Sequence, residues 1–225
     1  MANAKLGFRI LPSPARLPAN VIDGFRGLAS PNVADAMGRF NFMDPGMLAR
    51  SGLPVCGPAV TVLCRPADNL MVHKALQIAE PGDVVVVATG GNTTSAVFGG
   101  IMGEAAVARG LGGIVVDGAI RDVADLTRLR FPAFSRSVCP GGCDKDGPGE
   151  VNVPVSCGGT VVMPGDIVVG DRDGVAVVPR GEAEVVLGLV QQLLESEKTR
   201  KEEIAKGVWI RPEIDAALRQ KGVIE

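Results

Sequence analysis

Glu80-Pro81-Gly82-Asp83-Val84-Val85-Val86-Val87-Ala88 decides the fold class: a Pro-Gly-Asp turn delivers the chain into four consecutive valines. β-branched side chains favour extended backbone, and an apolar run without alternation fits a strand covered on both faces. Downstream, Thr89 to Ser95 reads as a loop. Ala96 to Arg109 has helical composition around Met102, Ala105, Ala106 and Ala108, and Gly110 to Gly113 ends it. Ile114-Val115-Val116-Asp117-Gly118 is another short buried strand with a turn, and Arg121 to Leu126 starts a helix, because acidic groups favour that end. Upstream, Gly57 to Cys64 reads as a strand ended by Arg65-Pro66, with a helix after it that is capped by Asp68 or Asn69 and runs through Gln77 and Ile78. Alternating strands and helices at this spacing predict an α/β core.

Beyond Phe131-Pro132 the texture changes. Val151 to Val155, Gly159 to Val162, Asp166 to Gly170 and Gly174 to Pro179 are short strands joined by turn sequences such as Met163-Pro164-Gly165-Asp166 and Asp171-Arg172-Asp173-Gly174. They predict an antiparallel layer packed on the α/β part. Gly181 to Lys206 reads as a long amphipathic helix within a C-terminal helical segment over 181–225. Residues 1–20, with three prolines, look like an arm over the surface or over a neighbouring subunit, and Ser30-Pro31 marks a short helix. No linker divides the chain, so one domain over 1–225 is expected.

Composition excludes several classes. With 46% apolar residues and a formal net charge of -2, the chain is neither a disordered tail nor a basic nucleic-acid binder. Seven Phe, one Trp and no Tyr leave little for stacking bases. No apolar run approaches the ~20 residues that cross a bilayer. Five cysteines behind a start without an apolar signal segment predict a cytoplasmic protein with reduced thiols. Phosphate-binding Gly-Lys-Ser/Thr loops, a Gly-x-Ser-x-Gly elbow and paired histidines are all missing from the sequence. The single histidine, His73, reads as a partly buried helical residue. Cys139 and Cys143 read as ordinary thiols in a Gly-rich loop, and Cys56, Cys64 and Cys157 as small core residues.

The chemistry concentrates between Gly99 and Asp125. Gly99-Gly100 opens a helix whose bare N–H groups suit a carboxylate or phosphate. Arg121-Asp122 puts a permanent cation beside an anion at a strand's carboxyl end, where open α/β sheets place ligands. Guanidinium suits a carboxylate or a polarised carbonyl oxygen, and the carboxylate suits a hard cation such as Mg²⁺ or Mn²⁺. By composition alone, an ordinary surface ion pair at a helix start is the commoner explanation.

A resemblance shifts that balance. Gly99-Gly100-Ile101-Met102 through Gly112-Gly113-Ile114-Val115-Val116-Asp117-Gly118-Ala119-Ile120-Arg121-Asp122 resembles the signature of the RraA-like family, which includes the class II 4-hydroxy-4-methyl-2-oxoglutarate/4-carboxy-4-hydroxy-2-oxoadipate aldolases. Gly57 to Thr61, Glu80 to Val87 and Met163 to Pro179 match the family's pattern in order, so the resemblance covers roughly residues 20–205. It implies a layered β/β/α fold like that of swivelling phosphohistidine domains, with a C-terminal helix, assembled as trimers or hexamers with sites between subunits. It further implies a pyruvate-releasing, metal-dependent lyase acting on a 4-hydroxy-2-oxo acid, with oxaloacetate decarboxylation as a side activity.

By the same resemblance Asp122 is the ligand of Mg²⁺ or Mn²⁺, Arg121 contacts the substrate's keto oxygen, and the backbone of Gly99, Gly100, Ile101 and Met102 holds a carboxylate. In one respect the chain departs from the aldolases, which resemble an acidic-x20-Arg-Asp pattern: Gly100 stands where the acid belongs. Glu104, on the same helical face, is a candidate substitute. Glu197, Glu202 and Glu203 are candidates to act from a neighbouring subunit. Asp125 either supports the metal from outside its ligand set or simply stabilises a helix start. The family's other branch implies a different class, a non-catalytic regulator that binds a ribonuclease E-type protein.

Overall fold

A computed structural model describes residues 5–225; residues 1–4 of the expected arm lie outside the described residues. In chain order the elements are α1 (Ala19–Gly24), α2 (Ser30–Ala36), β1 (Leu48–Ala49), β2 (Val55–Cys64), α3 (Leu70–Ile78), β3 (Val84–Phe98), α4 (Gly100–Ala108), β4 (Gly113–Ile120) and α5 (Val123–Arg128). The remainder of the chain adds β5 (Ala133–Val138), β6 (Gly149–Val151), β7 (Val155–Cys157), β8 (Thr160–Val162), β9 (Ile167–Gly170), β10 (Val175–Val178), α6 (Ala183–Ala205) and α7 (Pro212–Gln220).

Strands β2 to β5 run parallel, in the register Val60↔Val85, Val85↔Ile114 and Ile114↔Ala133. Strand β9 pairs antiparallel with the first half of β2, β6 with its second half, and β10 with β9; β7 and β8 form a separate hairpin. The valine run behaves as its composition requires. Val85 and Val87 pack with Val72, Ala75, Ala106 and Leu126 of the helices α3, α4 and α5. Val84 and Val86 point the other way, into a core shared with Val168, Val175 and Val177 of the antiparallel strands. The far face of β9–β10, through Val169 and Val178, is covered by Phe25, Val33, Val186 and Val190 of the helical layer α1, α2 and α6. The result is the expected layered α/β architecture with a C-terminal helix.

Four local readings change. Residues 89–95 are not a loop: β3 continues through them to Phe98, paired to β4 as Asn92↔Gly118, Ala96↔Ala119 and Phe98↔Ile120 with register shifts between. Gly90 and Gly91, at φ 66° and 75°, supply the left-handed backbone that such a bulge needs. Helix α4 therefore starts at Gly100 rather than Ala96. The expected 151–155 strand is two strands, split at Asn152, whose φ is 58°. His73 is exposed rather than partly buried, because its neighbour Val72 takes the core-facing position on α3.

The described part of the arm lies on the chain's own body. Gly7 N and Arg9 bond Glu150, and Leu11 N bonds Val151 O at 3.0 Å. Cys64 and Cys157 are buried in the core as expected, whereas Cys56 is only half-buried.

Candidate active site

Pairing of Phe98 with Ile120 sets the ends of β3 and β4 side by side and so brings together the segments just beyond them: Gly99 to Met102 after β3, Arg121-Asp122 after β4. Arg121 N donates to Phe98 O at 2.9 Å and locks the two exits. Asp122 is in the left-handed region (φ 56°, ψ 40°), which Asp tolerates better than most residues. Although it is the N-cap of α5, its carboxylate does not cap that helix. Instead Oδ2 accepts the Gly100 amide at 2.9 Å and lies 3.7 Å from Arg121 Nε.

This arrangement depends on Gly99. A Cβ there would stand 2.6 Å from Asp122 Oδ2 and 3.0 Å from Arg121 Cγ. Within the expected Gly99–Met102 carboxylate cradle, the Gly100 N–H is committed to Asp122. The amides of Ile101 and Met102, in the first turn of α4, have no acceptor among the described residues and sit at the positive end of the helix dipole.

At Gly100 the missing side chain leaves a space that Asp125 borders. A Cβ there would lie 3.1 Å from Asp125 Oδ2 and 3.2 Å from Asp125 Cβ. Asp125 Oδ1 accepts from Arg128 Nη2 at 2.7 Å. Glu104 is exposed one turn further along α4, so of the two it is Asp125 that the fold sets against Gly100. Within one chain Glu197, Glu202 and Glu203 are not brought to this place: they belong to α6, in the layer packed on β9–β10. There Glu197 accepts from Asn32 at 2.6 Å and Glu203 from Arg200 at 2.9 Å.

Arg121, Asp122, Gly99 and Met102 share one cleft with Asn69, Cys143 and Lys145, three residues that carry no sequence signal for this role. The loop carrying Lys145 is pinned by Asp68, whose Oδ2 accepts the amides of Asp146 and Gly147 at 2.8 Å each, while its Oδ1 caps α3 through Leu70 N at 3.0 Å. Burial pushes the Asp68 carboxyl up, but these three amides and Arg65 together hold it below the usual carboxylate range. Burial, with Asp68 and Asp144 nearby, raises the Cys143 thiol. Cys139 Sγ meets Thr94 O at 3.0 Å and Gly141 N at 3.3 Å.

A family model described as Aldolase/RraA matches residues 30–177, a span that contains the whole Gly99–Asp122 constellation. The chain belongs to the RraA-like family. A Halalkalibacterium halodurans relative named "Putative 4-hydroxy-4-methyl-2-oxoglutarate aldolase" is 39% identical over 188 residues, covering 83% of this chain and 90% of that protein. Among solved structures, an uncharacterized protein from Pseudomonas syringae pv. tomato aligns with a TM-score of 0.78 at 27% identity, over 88% of this chain and 94% of that one. Streptomyces coelicolor RraAS2, described as an unusual member of the RNase ES inhibitor RraA protein family, aligns with a TM-score of 0.75 at 26% identity, over 84% and 100%. Among the described residues no helix is long and apolar enough to cross a membrane.

Proposed function

We propose that this RraA-like protein is a divalent-metal-dependent lyase that cleaves a 4-hydroxy-2-oxo acid to release pyruvate, with oxaloacetate decarboxylation as a side activity. One observation carries the reading: a carboxylate fixed by the Gly100 amide stands beside Arg121 in a cleft that also offers two unpaired helix amides. The aldolase name of the Halalkalibacterium relative supports it.

The donor set fits Mg²⁺ or Mn²⁺. Such hard cations retain several waters and need only one or two carboxylates plus oxygens from the substrate. Asp122 supplies one carboxylate, and its Oδ1 has no protein partner among the described residues. Asp125, which borders the space at Gly100 and keeps Oδ2 free of Arg128, would be the second carboxylate able to support the cation through water. When bound, the cation contributes Lewis-acid polarisation of the keto group. The Ile101 and Met102 amides hold the carboxylate of the 2-oxo acid. Arg121 donates to the keto oxygen, where negative charge develops as the bond between C3 and C4 breaks, and so stabilises the pyruvate enolate. The 4-hydroxyl gives its proton to solvent water as C4 becomes a carbonyl, and C3 of the enolate takes a proton back from solvent to give pyruvate. Asp122 keeps its place through Gly100 N, and Gly99 keeps the space clear.

Assembly as trimers or hexamers, with sites between subunits, belongs to the same reading. Ile101, 85% exposed beside the cleft, and Phe40, 73% exposed, are apolar surface that a second copy would cover. Cytoplasmic placement is supported by five cysteines that are all free.

A second reading, a non-catalytic regulator that binds a ribonuclease E-type protein, draws on the RraAS2 likeness. Pyruvate release from 4-hydroxy-4-methyl-2-oxoglutarate and from oxaloacetate, with Mg²⁺ or Mn²⁺ and with EDTA as control, separates the two. Arg121→Ala and Asp122→Ala should each lower turnover by at least about a hundredfold. Full activity in both variants rules out the lyase site, and recovery of ribonuclease E without turnover by the wild type favours the regulator.

A further inference from the structure

We propose that Cys139 and Cys143 form a reversible disulfide when the protein meets a peroxide, and that closing it shifts the strap they belong to against Arg121 and switches the site off. The effect on turnover rests on the lyase reading above; the disulfide itself rests on where the strap lies. After β5 the chain crosses the carboxyl ends of the parallel strands. Cys139 N donates to Ile120 O at the end of β4 at 3.0 Å, Gly141 O accepts Ala96 N of β3 at 2.8 Å, and Asp144 O accepts Asn69 N beyond β2 at 3.0 Å. Asp68 pins the far end through the amides of Asp146 and Gly147. Between these anchors Gly142 passes so near the guanidinium that a Cβ on it would stand 3.3 Å from Arg121 Nη1. Cys143 lines the cleft itself.

Only Pro140-Gly141-Gly142 separates the two thiols, and adjacent glycines can adopt the turn that brings cysteine Cα atoms to the separation of about 6 Å that a disulfide needs. Cys139 Sγ already folds back along the strap, where it accepts the Gly141 amide at 3.3 Å. An extended chain advances at most ~3.6 Å per residue, so the Cα of Cys143 is no more than about 7 Å beyond that of Gly141. Burial raises the thiols of Cys56, Cys64 and Cys157, which removes them as competing nucleophiles near neutral pH. In the first step the Cys139 thiolate, with the Gly141 N–H as donor to its sulfur, attacks one oxygen of hydrogen peroxide. The O–O bond breaks, and the leaving hydroxide takes up the proton the thiol released and becomes water. The Cys143 sulfur then attacks the sulfenic sulfur of Cys139: the S–S bond forms, the S–O bond breaks, and the hydroxyl leaves as water with the Cys143 proton. Peroxide is thus reduced to two waters by the two electrons the thiols lose. Burial, with Asp68 and Asp144, raises the Cys143 thiol, which suits it to the second step. The turn at Gly141 and Gly142 withdraws Gly141 O from Ala96 N and moves Gly142 relative to Arg121.

Hydrogen peroxide treatment of the reduced full chain, followed by alkylation and trypsin, tests the pair directly, because residues 137–145 form one tryptic peptide that holds both cysteines. That peptide should be lighter by the two thiol hydrogens, carry no alkyl group and revert with dithiothreitol. A peptide that is still alkylated, one oxidised without the cross-link, a link from Cys143 to Cys64, or a link between chains overturns the proposal. Hydrogen exchange gives a readout that needs no turnover: the Ala96 amide should lose protection by at least about tenfold in the oxidised form. With Mg²⁺ present, oxidation should lower pyruvate release from oxaloacetate by at least about tenfold, since a misplacement of about 1 Å suffices, and dithiothreitol should restore it. Cys139→Ser should keep the turnover of the reduced wild type and resist peroxide. Should it fail to fold, Cys143→Ser takes its place, with its own untreated activity as the reference. A disulfide that leaves turnover or the Ala96 exchange unchanged overturns the switch, as does equal peroxide sensitivity in the variant. A reduced wild type that turns over no substrate refutes the lyase reading, and the peptide and exchange measurements then still decide the disulfide.

Discussion

Gly99→Ala isolates the geometry on which the proposed site depends. The backbone there is extended (φ -160°, ψ -169°), so alanine meets no conformational penalty and the whole effect is contact. Its Cβ would stand 2.6 Å from Asp122 Oδ2, and ordinary contact begins at 3.4 Å, so the carboxylate must retreat by about 0.8 Å (3.4 − 2.6). A retreat of that size breaks the 2.9 Å bond from the Gly100 amide, and Arg121 Cγ, 3.0 Å from the same Cβ, is displaced too. Misplacing reacting groups by about 1 Å costs roughly a hundredfold in rate. Stability should fall only by about 1 kcal/mol, because the lost bond is partly solvated. The assay is pyruvate release coupled to lactate dehydrogenase, alongside Mn²⁺ titration by electron paramagnetic resonance. Gly100→Ala is the comparison: its Cβ meets Asp125 Oδ2 at 3.1 Å and Asp125 Cβ at 3.2 Å and reaches Asp122 only at its Cβ, 3.4 Å away, so the neighbours need give by only a few tenths of an ångström and the loss should be smaller. Wild-type turnover and Mn²⁺ affinity in Gly99→Ala would refute the reasoning.

Two further predictions concern stability. Arg136 Nε donates to Asp117 Oδ1 at 2.6 Å, and Asp117, 8% exposed, also receives Gly158 N at 3.0 Å. Arg136→Leu strands that carboxylate and should cost about 3 kcal/mol in urea unfolding; an unchanged midpoint would show that the pair carries no weight. Acid sensitivity arises from Glu150 and Asp68. The Arg9 hydrogen bond, helped by the Gly7 amide, holds Glu150 below the usual range against the effect of burial, and Asp68 is held low by its amides and Arg65 despite burial. A carboxyl whose folded pKa lies below its unfolded value contributes stability that is full above about pH 4 and is lost as pH falls through the folded pKa. Thermal midpoints should therefore decline on acidification below that pH, and less steeply in Glu150→Gln; an equally steep decline in the variant would contradict the assignment.

Much of this molecule can be read from its residues in order. An unbroken valine run can only be covered on both sides, and Pro-Gly-Asp turns permit few connections, so local composition leads to the layered α/β class. Arg121 and Asp122 are legible for the same reason, since a strand's end and a helix's start adjoin in sequence. The bulged continuation of β3 is not legible. Gly90, Gly91 and Asn92 read as a loop, and only pairing with β4 makes them strand. Strand β5 is masked by Ser135 and Arg136, whose polarity is satisfied by partners distant in sequence: Arg50 for the one and Asp117 for the other.

The site divides along the same line. Arg121, Asp122 and the neighbouring glycines are legible as candidates because each pair sits at a strand–helix junction, Gly99–Gly100 after β3 and Arg121–Asp122 after β4, and it is the family resemblance that ranks them above an ordinary surface ion pair. Tertiary structure alone decided that the carboxylate beside Gly100 is Asp125 and not Glu104, that Asp68 pins the Lys145 loop to the start of α3, and that Lys145 faces the same cleft. Those three outcomes depend on which strand exits lie side by side and on which hydrogen-bond acceptors are already occupied, and neither is a property of neighbouring residues in the chain.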